Sequence, residues 1–349
     1  MSSRTRLKLA AILFGTIAAF VGGEVVLRVL DLGYGNSPVE SDPFLHHVHP
    51  ASYRFIQRHP SGELGGFETI YDAERRVVSG RPARTSSRGT GGECRIALVG
   101  DSFVEAGQVP YPASFPGILE EAARDGCTVK NFGVRSYSPT LYLVQWTREI
   151  QAWRPTHVFV LLFSNDITDD RGYLAVASRD AQGWPVAVPG PGDDWLQSQL
   201  RRLYVARMAR TLYMQATWAW EHRNDEQMRV GGIVEENPPW EAPSSDFVAE
   251  LSRRVRASGA RFTLMVVPSR YRLMGDGTVP MNFDLHHRVA EWATAQGIGF
   301  LDLNVAFEKE AAAGVPLFFR QDIHFNEAGH ALAARVIAQA FPDLFSRRP

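Results

Sequence analysis

The chain of 349 residues carries almost no excess charge, since 37 Lys and Arg face 38 Asp and Glu for a formal net charge of -1. No electrostatic field gathers nucleic acid to such a surface, and nucleic acid is set aside as a partner. Arg201, Arg202, Arg207 and Arg210 do fall close together, but a solvated helix face accounts for them. No internal repeat or long low-complexity tract is present, which excludes a repeat array. The 45% hydrophobic and 21% charged content excludes a disordered or fibrous chain and leaves an ordinary globular one, long enough for one large domain plus an appendage. Cysteine is nearly missing: Cys94 and Cys127 are the two. Each precedes a predicted strand, so either a disulfide between parallel neighbours or two buried thiols fits, with buried thiols slightly favoured. The tract "HHVH", His46 to His49, has no Cys or carboxylate at ligand spacing within it, so no metal site is assigned.

Long apolar runs are also scarce, with one exception. "MSSRTRLK" places three cations before about fifteen uncharged residues, "LAAILFGTIAAFVGG", closed by Glu24. That run is short for a spanning helix of about 20 residues, and a cleaved signal peptide shares its layout. Residues 1–30 are thus a membrane anchor or a signal segment, the anchor favoured because "EVVLRVL" continues the apolar pattern past Glu24 and the cleavage site is poor. The positive-inside rule then puts the bulk of the chain outside the cytoplasm, on the periplasmic side of a single-pass inner-membrane protein.

Residues 31–92 are rich in Pro, Gly, Ser and Arg with short apolar pieces, "YRFI" and "FETIYDA", and are expected to form an extended arm with a few edge strands. From residue 93 to 349 strand and helix patterns alternate: "RIALVG", "SFPGILEEAARDG", "TVKNFGV", "LYLVQWTREIQAW", "HVFVLLFS", and later "RFTLMVVPS", "LHHRVAEWATAQG", "GFLDLN" and "EAGHALAARVIAQAF". The strand runs are continuously apolar, as strands buried on both faces are, so a doubly wound α/β sandwich with a central parallel sheet is expected. Between about 171 and 245 the rhythm breaks into an insertion. Its helix has Tyr204, Met208, Leu212, Ala216 and Trp220 near helical spacing, read as one apolar face packed on its own domain; a lid or a membrane-surface helix are the other readings.

Four short segments lie where predicted strands end or the last helix begins, which is where an open α/β sheet binds its ligand. Gly100-Asp101-Ser102 follows the first core strand, "NFGV" brings Gly133 to the end of the second, "FSND" brings Asn165 to the end of the third, and "QDIHFN" sets Asp322 and His324 before the last helix. Each alone is ordinary: a helix start, a turn glycine, a cap, a surface histidine. Together they supply a complete acyl-transfer set. A serine hydroxyl needs a base, a neutral imidazole is one, and a carboxylate fixes the imidazole's tautomer. Ser102, His324 and Asp322 fill those roles. Ser102 N–H, Gly133 N–H and the Asn165 amide would then hold the developing oxyanion.

The blocks "GDSF", "NFGV", "SND" and "DIHFNEAGH" resemble the four signature blocks of the SGNH/GDSL hydrolases, over roughly Arg95 to Phe341. The resemblance implies a three-layer, flavodoxin-like sandwich acting as an esterase, lipase, thioesterase or carbohydrate O-acyl esterase. It implies Ser102 as nucleophile and oxyanion donor, Gly133 and Asn165 as the other donors, His324 as base and Asp322 as its partner, with no metal or organic cofactor. The spacing Asp322-Ile323-His324, where many members have one more residue, is similar to the membrane-associated subgroup that modifies O-acetyl groups on exopolysaccharides, relatives of alginate O-acetyltransferases among them. In that subgroup the blocks can be permuted; here they are not. Ser164 stands where glycine often precedes the asparagine.

The expected activity is therefore that of a serine hydrolase on carboxylic esters, most of all O-acetyl groups of an extracytoplasmic polysaccharide. A lipase, a thioesterase or an O-acyltransferase of the same fold, and a non-catalytic glycan-binding assembly protein, are the alternatives. His330 is read as a packing residue, Asp101 as a group that tunes Ser102 or ties the loop backbone, and Asp166, Asp169 and Asp170 as a local acidic loop. Ser136 and Ser138 are read as turn residues.

Overall fold

The computed structural model describes residues 2–30, 39–58, 62–80, 94–192, 199–200, 202–221, 237–274 and 284–345. Parts of the expected arm and insertion, among them Arg201 and residues 81–93 and 222–236, lie outside the described residues.

Helix α1 spans Ser3–Val29, with the Ser2 hydroxyl accepting from Thr5 N at its start. Its most apolar window has a mean hydropathy of 2.0 and none of it is buried. At about 1.5 Å per residue its 27 residues exceed a bilayer's apolar thickness of about 30 Å. The apolar pattern past Glu24 is what supplies the length.

The segment after it is folded rather than extended, a departure from the expectation. β1 (Glu40–Asp42) pairs with β2 (His46–Val48), and β3 (Tyr53–Arg58), β4 (Gly65–Tyr71) and β5 (Val77–Val78) make a second antiparallel sheet. Leu45 and Val48 enter the main core, and Phe55, Tyr71 and Val77 cluster with Tyr111. Short strands and scattered aromatics read as an arm because the strands pair locally while the core they pack against, Tyr111 included, lies far off in sequence.

The core follows as β6 (Cys94–Gly100), α2 (Ser102–Glu105), α3 (Phe115–Ala122), β7 (Cys127–Asn131) and α4 (Pro139–Gln145), which runs through a π-helical turn into α5 (Gln151–Trp153). Next come β8 (His157–Leu162), α6 (Ser164–Val176), the hairpin β9 (Ser178–Arg179) and β10 (Pro185–Ala187), and α7 (Tyr204–Glu221). The chain continues with α8 (Ser244–Ala257), β11 (Arg261–Val266), α9 (Arg270–Met274), α10 (Leu285–Ala295), β12 (Gly299–Phe300), α11 (Asn304–Ala312) and α12 (Glu327–Ala340). Five strands form one parallel sheet in the order β12-β11-β8-β6-β7, the flavodoxin-like arrangement. Alternate residues of each strand feed opposite layers. Ala97, Val99, Val158, Val160 and Leu264 join one core with residues of α4, α8 and α10, while Ile96, Leu98, Phe159, Leu161 and Met265 join the other with α3, α11 and α12. Because β6 has β7 on one side and β8 on the other, the strand order reverses there, and the crevice beyond the carboxyl ends of β6 and β8 is the expected ligand position.

Cys94 and Cys127 pair directly across β6 and β7 and form a disulfide, so the slightly favoured thiol reading gives way to the other. In the insertion, the row Tyr204, Met208, Leu212, Ala216, Trp220 is not one buried face: Leu212 is 56% and Trp220 68% exposed. Tyr204 N and Val205 N instead donate to the Glu24 carboxylate at 3.0 and 2.9 Å, which ties the start of α7 to α1.

Candidate active site

Ser102 stands directly past the end of β6. A side chain at Gly100 would meet Val104 Cγ2 at 2.3 Å and the Leu161 carbonyl at 2.8 Å, so glycine lets the strand turn tightly into α2. Asp101 caps that helix: one of its oxygens accepts from Phe103 N at 2.9 Å, and the other lies 3.4 Å from Ser102 Oγ. As the first residue of α2, Ser102 has a backbone N–H that the helix ladder does not use. The helix start and the candidate nucleophile are one feature.

Across the crevice, His324 Nε2 lies 2.7 Å from Ser102 Oγ. Its Nδ1 hydrogen-bonds the Asp322 carboxylate, and the same oxygen accepts from His324 N at 2.8 Å. The one-residue spacer between Asp322 and His324 serves this geometry, letting a single carboxylate oxygen take the ring and the backbone of the same residue. Burial alone would lower the His324 pKa, but the Asp322 carboxylate outweighs it and holds the imidazole above its ordinary 6.5. Ser102, His324 and Asp322 thus form one hydrogen-bonded line.

Gly133 and Asn165 reach the same rim with their own partners. The Gly133 N–H donates to Asn131 Oδ1 at 2.8 Å, and Asn131 Nδ2 donates to the Val104 carbonyl at 2.8 Å. Asn131 was not singled out from sequence; it stitches the end of β7 to α2. Any Cβ at Gly133 would meet Glu105 N at 2.3 Å, so close packing on α2 demands glycine there. Asn165, in the first turn of α6, gives one amide N–H to Asp169 Oδ2 at 3.0 Å. A primary amide has a second N–H to give.

Beneath these groups lies a set of buried carboxylates. Asp166 and Asp170 lie wholly buried in helix α6 and not in a local acidic loop. Asp166 accepts from Tyr142 Oη at 2.8 Å and from Phe163 N at 3.2 Å, while Asp170 accepts from Ser138 Oγ, Thr140 N and Ser244 Oγ. Ser138 is therefore a buried donor as well as the residue before α4. Burial pushes the Asp101 carboxyl up to about 6 and, with Asp101 beside it, pushes Asp166 well above the carboxylate range. Asp101 was legible from its place before Ser102; Asp166 reads from sequence as part of a local acidic loop because no local pattern distinguishes a buried aspartate.

Glu105, at the other end of α2, was also missed. Its carboxylate accepts from Arg135 N at 2.7 Å, from Arg135 Nη2 at 3.2 Å and from Tyr71 Oη at 3.3 Å, with His49 Nε2 at 3.4 Å. Burial opposes ionisation, but Arg135 and His49 hold the Glu105 carboxyl well below its ordinary range. His47 bonds the Arg135 carbonyl at 2.8 Å and His49 the Arg75 carbonyl at 3.1 Å, so the histidine tract is a packing device between the N-terminal sheets and the Gly133 loop. Among the described residues no cluster of His, Cys, Asp and Glu has the grouping of a metal site. His330 is buried against Phe115 and Phe325 and accepts from Phe115 N at 3.3 Å, as a packing residue does.

The flavodoxin-like sheet carries the Ser102, His324 and Asp322 line at its carboxyl edge, an arrangement that resembles an α/β sandwich of the SGNH/GDSL type. Residues 234–348 match the family described as ALGX, the SGNH hydrolase-like domain of acetyltransferase AlgX, which bears out the superfamily resemblance. That stretch holds Asp322 and His324 and stops short of Ser102, Gly133 and Asn165. No curated protein matches the chain. Among solved structures it is similar to Axe2, an acetylxylan esterase from Geobacillus stearothermophilus, at 16% identity and a TM-score of 0.43, covering 74% of this chain and 99% of that one. It is also similar to LAE5, an alpha/beta hydrolase enzyme from the metagenome of Lake Arreo, Spain, at 15% identity and a TM-score of 0.44, covering 73% and 98%.

Proposed function

We propose that the protein is a membrane-anchored serine enzyme that attacks carboxylic esters, with an O-acetyl group on an extracytoplasmic polysaccharide as its substrate. The single observation that carries this reading is the 2.7 Å contact between Ser102 Oγ and His324 Nε2, continued to Asp322. Neutral His324 takes the Ser102 proton as Oγ adds to the ester carbonyl, and Asp322 orients and stabilises the imidazolium. The oxyanion falls to Ser102 N–H and the second Asn165 N–H; Gly133 N–H joins them if it exchanges Asn131 for substrate. His324 then gives its proton to the departing sugar oxygen, which leaves an acyl-Ser102. Attack by water completes hydrolysis.

A second reading ends differently. The family matched over residues 234–348 is described by an acetyltransferase, which favours a sugar hydroxyl as the final acceptor in place of water. For location, α1 with its N-terminal Arg4, Arg6 and Lys8 supports a single-pass inner-membrane anchor with the sandwich on the periplasmic side. The Cys94–Cys127 disulfide suits that oxidising compartment.

The test is turnover of p-nitrophenyl acetate, butyrate and longer esters by the full-length protein, with Ser102→Ala beside it. Loss of turnover in the variant is expected. Equal activity in both would sink the serine mechanism, and absence of turnover in both would favour a non-catalytic glycan-binding protein. Activity rising with acyl chain length would sink the acetyl preference. Adding an unacetylated oligosaccharide separates the two endings, since a transferase yields acetylated sugar and a hydrolase free acetate.

A further inference from the structure

The loop that carries Asp322 and His324 has little regular structure to hold it. Its own closure is Phe319 N to the His324 carbonyl and Asn326 N to the Leu317 carbonyl, both 3.1 Å, with Asn326 Nδ2 donating to the Pro316 and Phe318 carbonyls at 2.8 and 3.2 Å. Its tip is gripped from two sides by opposite charges. Glu63, just before β4, accepts from Arg320 N at 2.5 Å and from Gln321 N at 2.6 Å. Arg270, the first residue of α9, donates to the Phe319 carbonyl at 3.2 Å and the Arg320 carbonyl at 2.8 Å. A carboxylate takes the N–H groups and a guanidinium takes the carbonyls of neighbouring peptide units. Such charge-assisted bonds are stronger than neutral ones, and they supply partners that a loop's backbone otherwise lacks.

We propose that Glu63 and Arg270 are positioning residues that set where the Asp322 and His324 pair stands relative to Ser102. This rests on the serine mechanism above and adds the parts that keep it in register. Neither residue touches the reacting atoms. Both act through the three peptide units before Asp322, and a misplacement of about 1 Å in such a pair costs about 100-fold in rate. Glu63 also borders a cleft of about 650 Å³ together with Gln108 of the loop after α2 and Phe319, so the N-terminal sheets form a wall beside the catalytic loop. The folded arm is thereby part of the active site's support and not only its tether.

Full-length Glu63→Ala, Glu63→Gln, Arg270→Met and Arg270→Lys are compared with wild type and Ser102→Ala on p-nitrophenyl acetate. The expected result is a kcat lower by about 10- to 100-fold in Glu63→Ala and Arg270→Met with KM changed little. Glu63→Gln and Arg270→Lys, which keep one acceptor or one cation, recover part of it. The acid limb of the kcat/KM profile moves to lower pH as Asp322 loosens from His324. If Ser102→Ala is inactive while Glu63→Ala and Arg270→Met keep wild-type kcat and acid limb, the positioning role is overturned even where their melting temperatures fall. If Ser102→Ala retains activity, it is the serine mechanism that fails, and the two failures are told apart.

Discussion

Replacing Gly133 by alanine tests the packing of the site without any assumption about substrate. The added methyl would stand 2.3 Å from Glu105 N, 2.5 Å from the Val104 carbonyl carbon and 2.7 Å from Val104 Cβ, where ordinary contact begins at 3.4 Å. The shortfall exceeds 1 Å, and two of the three obstacles are backbone, which no rotamer change can move. The Gly133 loop must therefore withdraw from α2, stretching the Gly133 N to Asn131 bond and the Asn131 to Val104 bond that join them. Overpacking of this kind costs about 1–3 kcal/mol, and a strained buried hydrogen bond adds about 1 kcal/mol. At about 2–4 °C per kcal/mol for a domain of this size, the melting temperature falls by about 4–16 °C. Gly172→Ala is the internal control: it lies in the exposed interior of α6 with nothing within 4 Å of the new methyl. That change should stabilise by about 0.5–1 kcal/mol. Differential scanning fluorimetry of the full-length proteins in one detergent reads both. A Gly133→Ala protein melting at or above wild type would refute the close approach of the Gly133 loop to α2.

Three more outcomes follow from the same contacts. In the proposed mechanism the base works only as neutral imidazole, and the Asp322 carboxylate, overcoming burial, raises the His324 pKa; kcat/KM should rise with pH along an acid limb centred above 6.5, and a limb at or below 6.5 would contradict the pairing. Burial lowers His330 to about 3, so between about 6.5 and 3 the unfolded chain binds a proton that the folded one refuses. Stability should fall as pH drops through that window, and His330→Leu should flatten the slope seen in urea melts at pH 7, 5 and 4. The Cys94–Cys127 bridge closes a sequence separation of 33 and should contribute about 2–4 kcal/mol, so reductant lowers the melting temperature and iodoacetamide labels the chain only after reduction.

The parallel sheet was legible because burial on both faces writes a continuous apolar run, as in Val158 to Leu162. β12 shows the limit of that signal. "GFLDLN" reads as a strand of ordinary length, yet only Gly299 and Phe300 pair, because Asp302 turns its side chain to the backbone N–H of Asn304 and opens the next helix. The N-terminal sheets were illegible for a different reason. Their strands are short, and what decides that His47 and His49 are buried is a carbonyl at Arg135 and another at Arg75, neither encoded nearby. The α7 row failed because helical spacing says which side chains share a face, not whether anything covers that face.

The same distinction separates the proposed reacting groups from the groups that hold them. Ser102, Asp322 and His324 need particular chemistry at particular spacing, so local sequence carries them: an aspartate two residues before a histidine can bond its ring and its backbone whatever the rest of the chain does. Supporting residues need only the right charge at the right point in space. Glu63 reaches Arg320 across 257 positions, and Asn131 reaches Val104 across 27; a glutamate or asparagine in either place looks like any other. A site built at the reversal of strand order gathers its parts from separate crossovers, and each part must be fixed to its neighbour independently. Glu105 fixes the Gly133 loop to α2, Asn131 fixes β7 to the same helix, and Glu63 with Arg270 fixes the acid and base loop. Two of those fixtures draw on the N-terminal sheets, through Tyr71 and His49 against Glu105 and through Glu63 itself. Removing the segment between α1 and β6 should therefore disable the site and not merely untether it, even though Ser102, Asp322 and His324 all lie outside that segment.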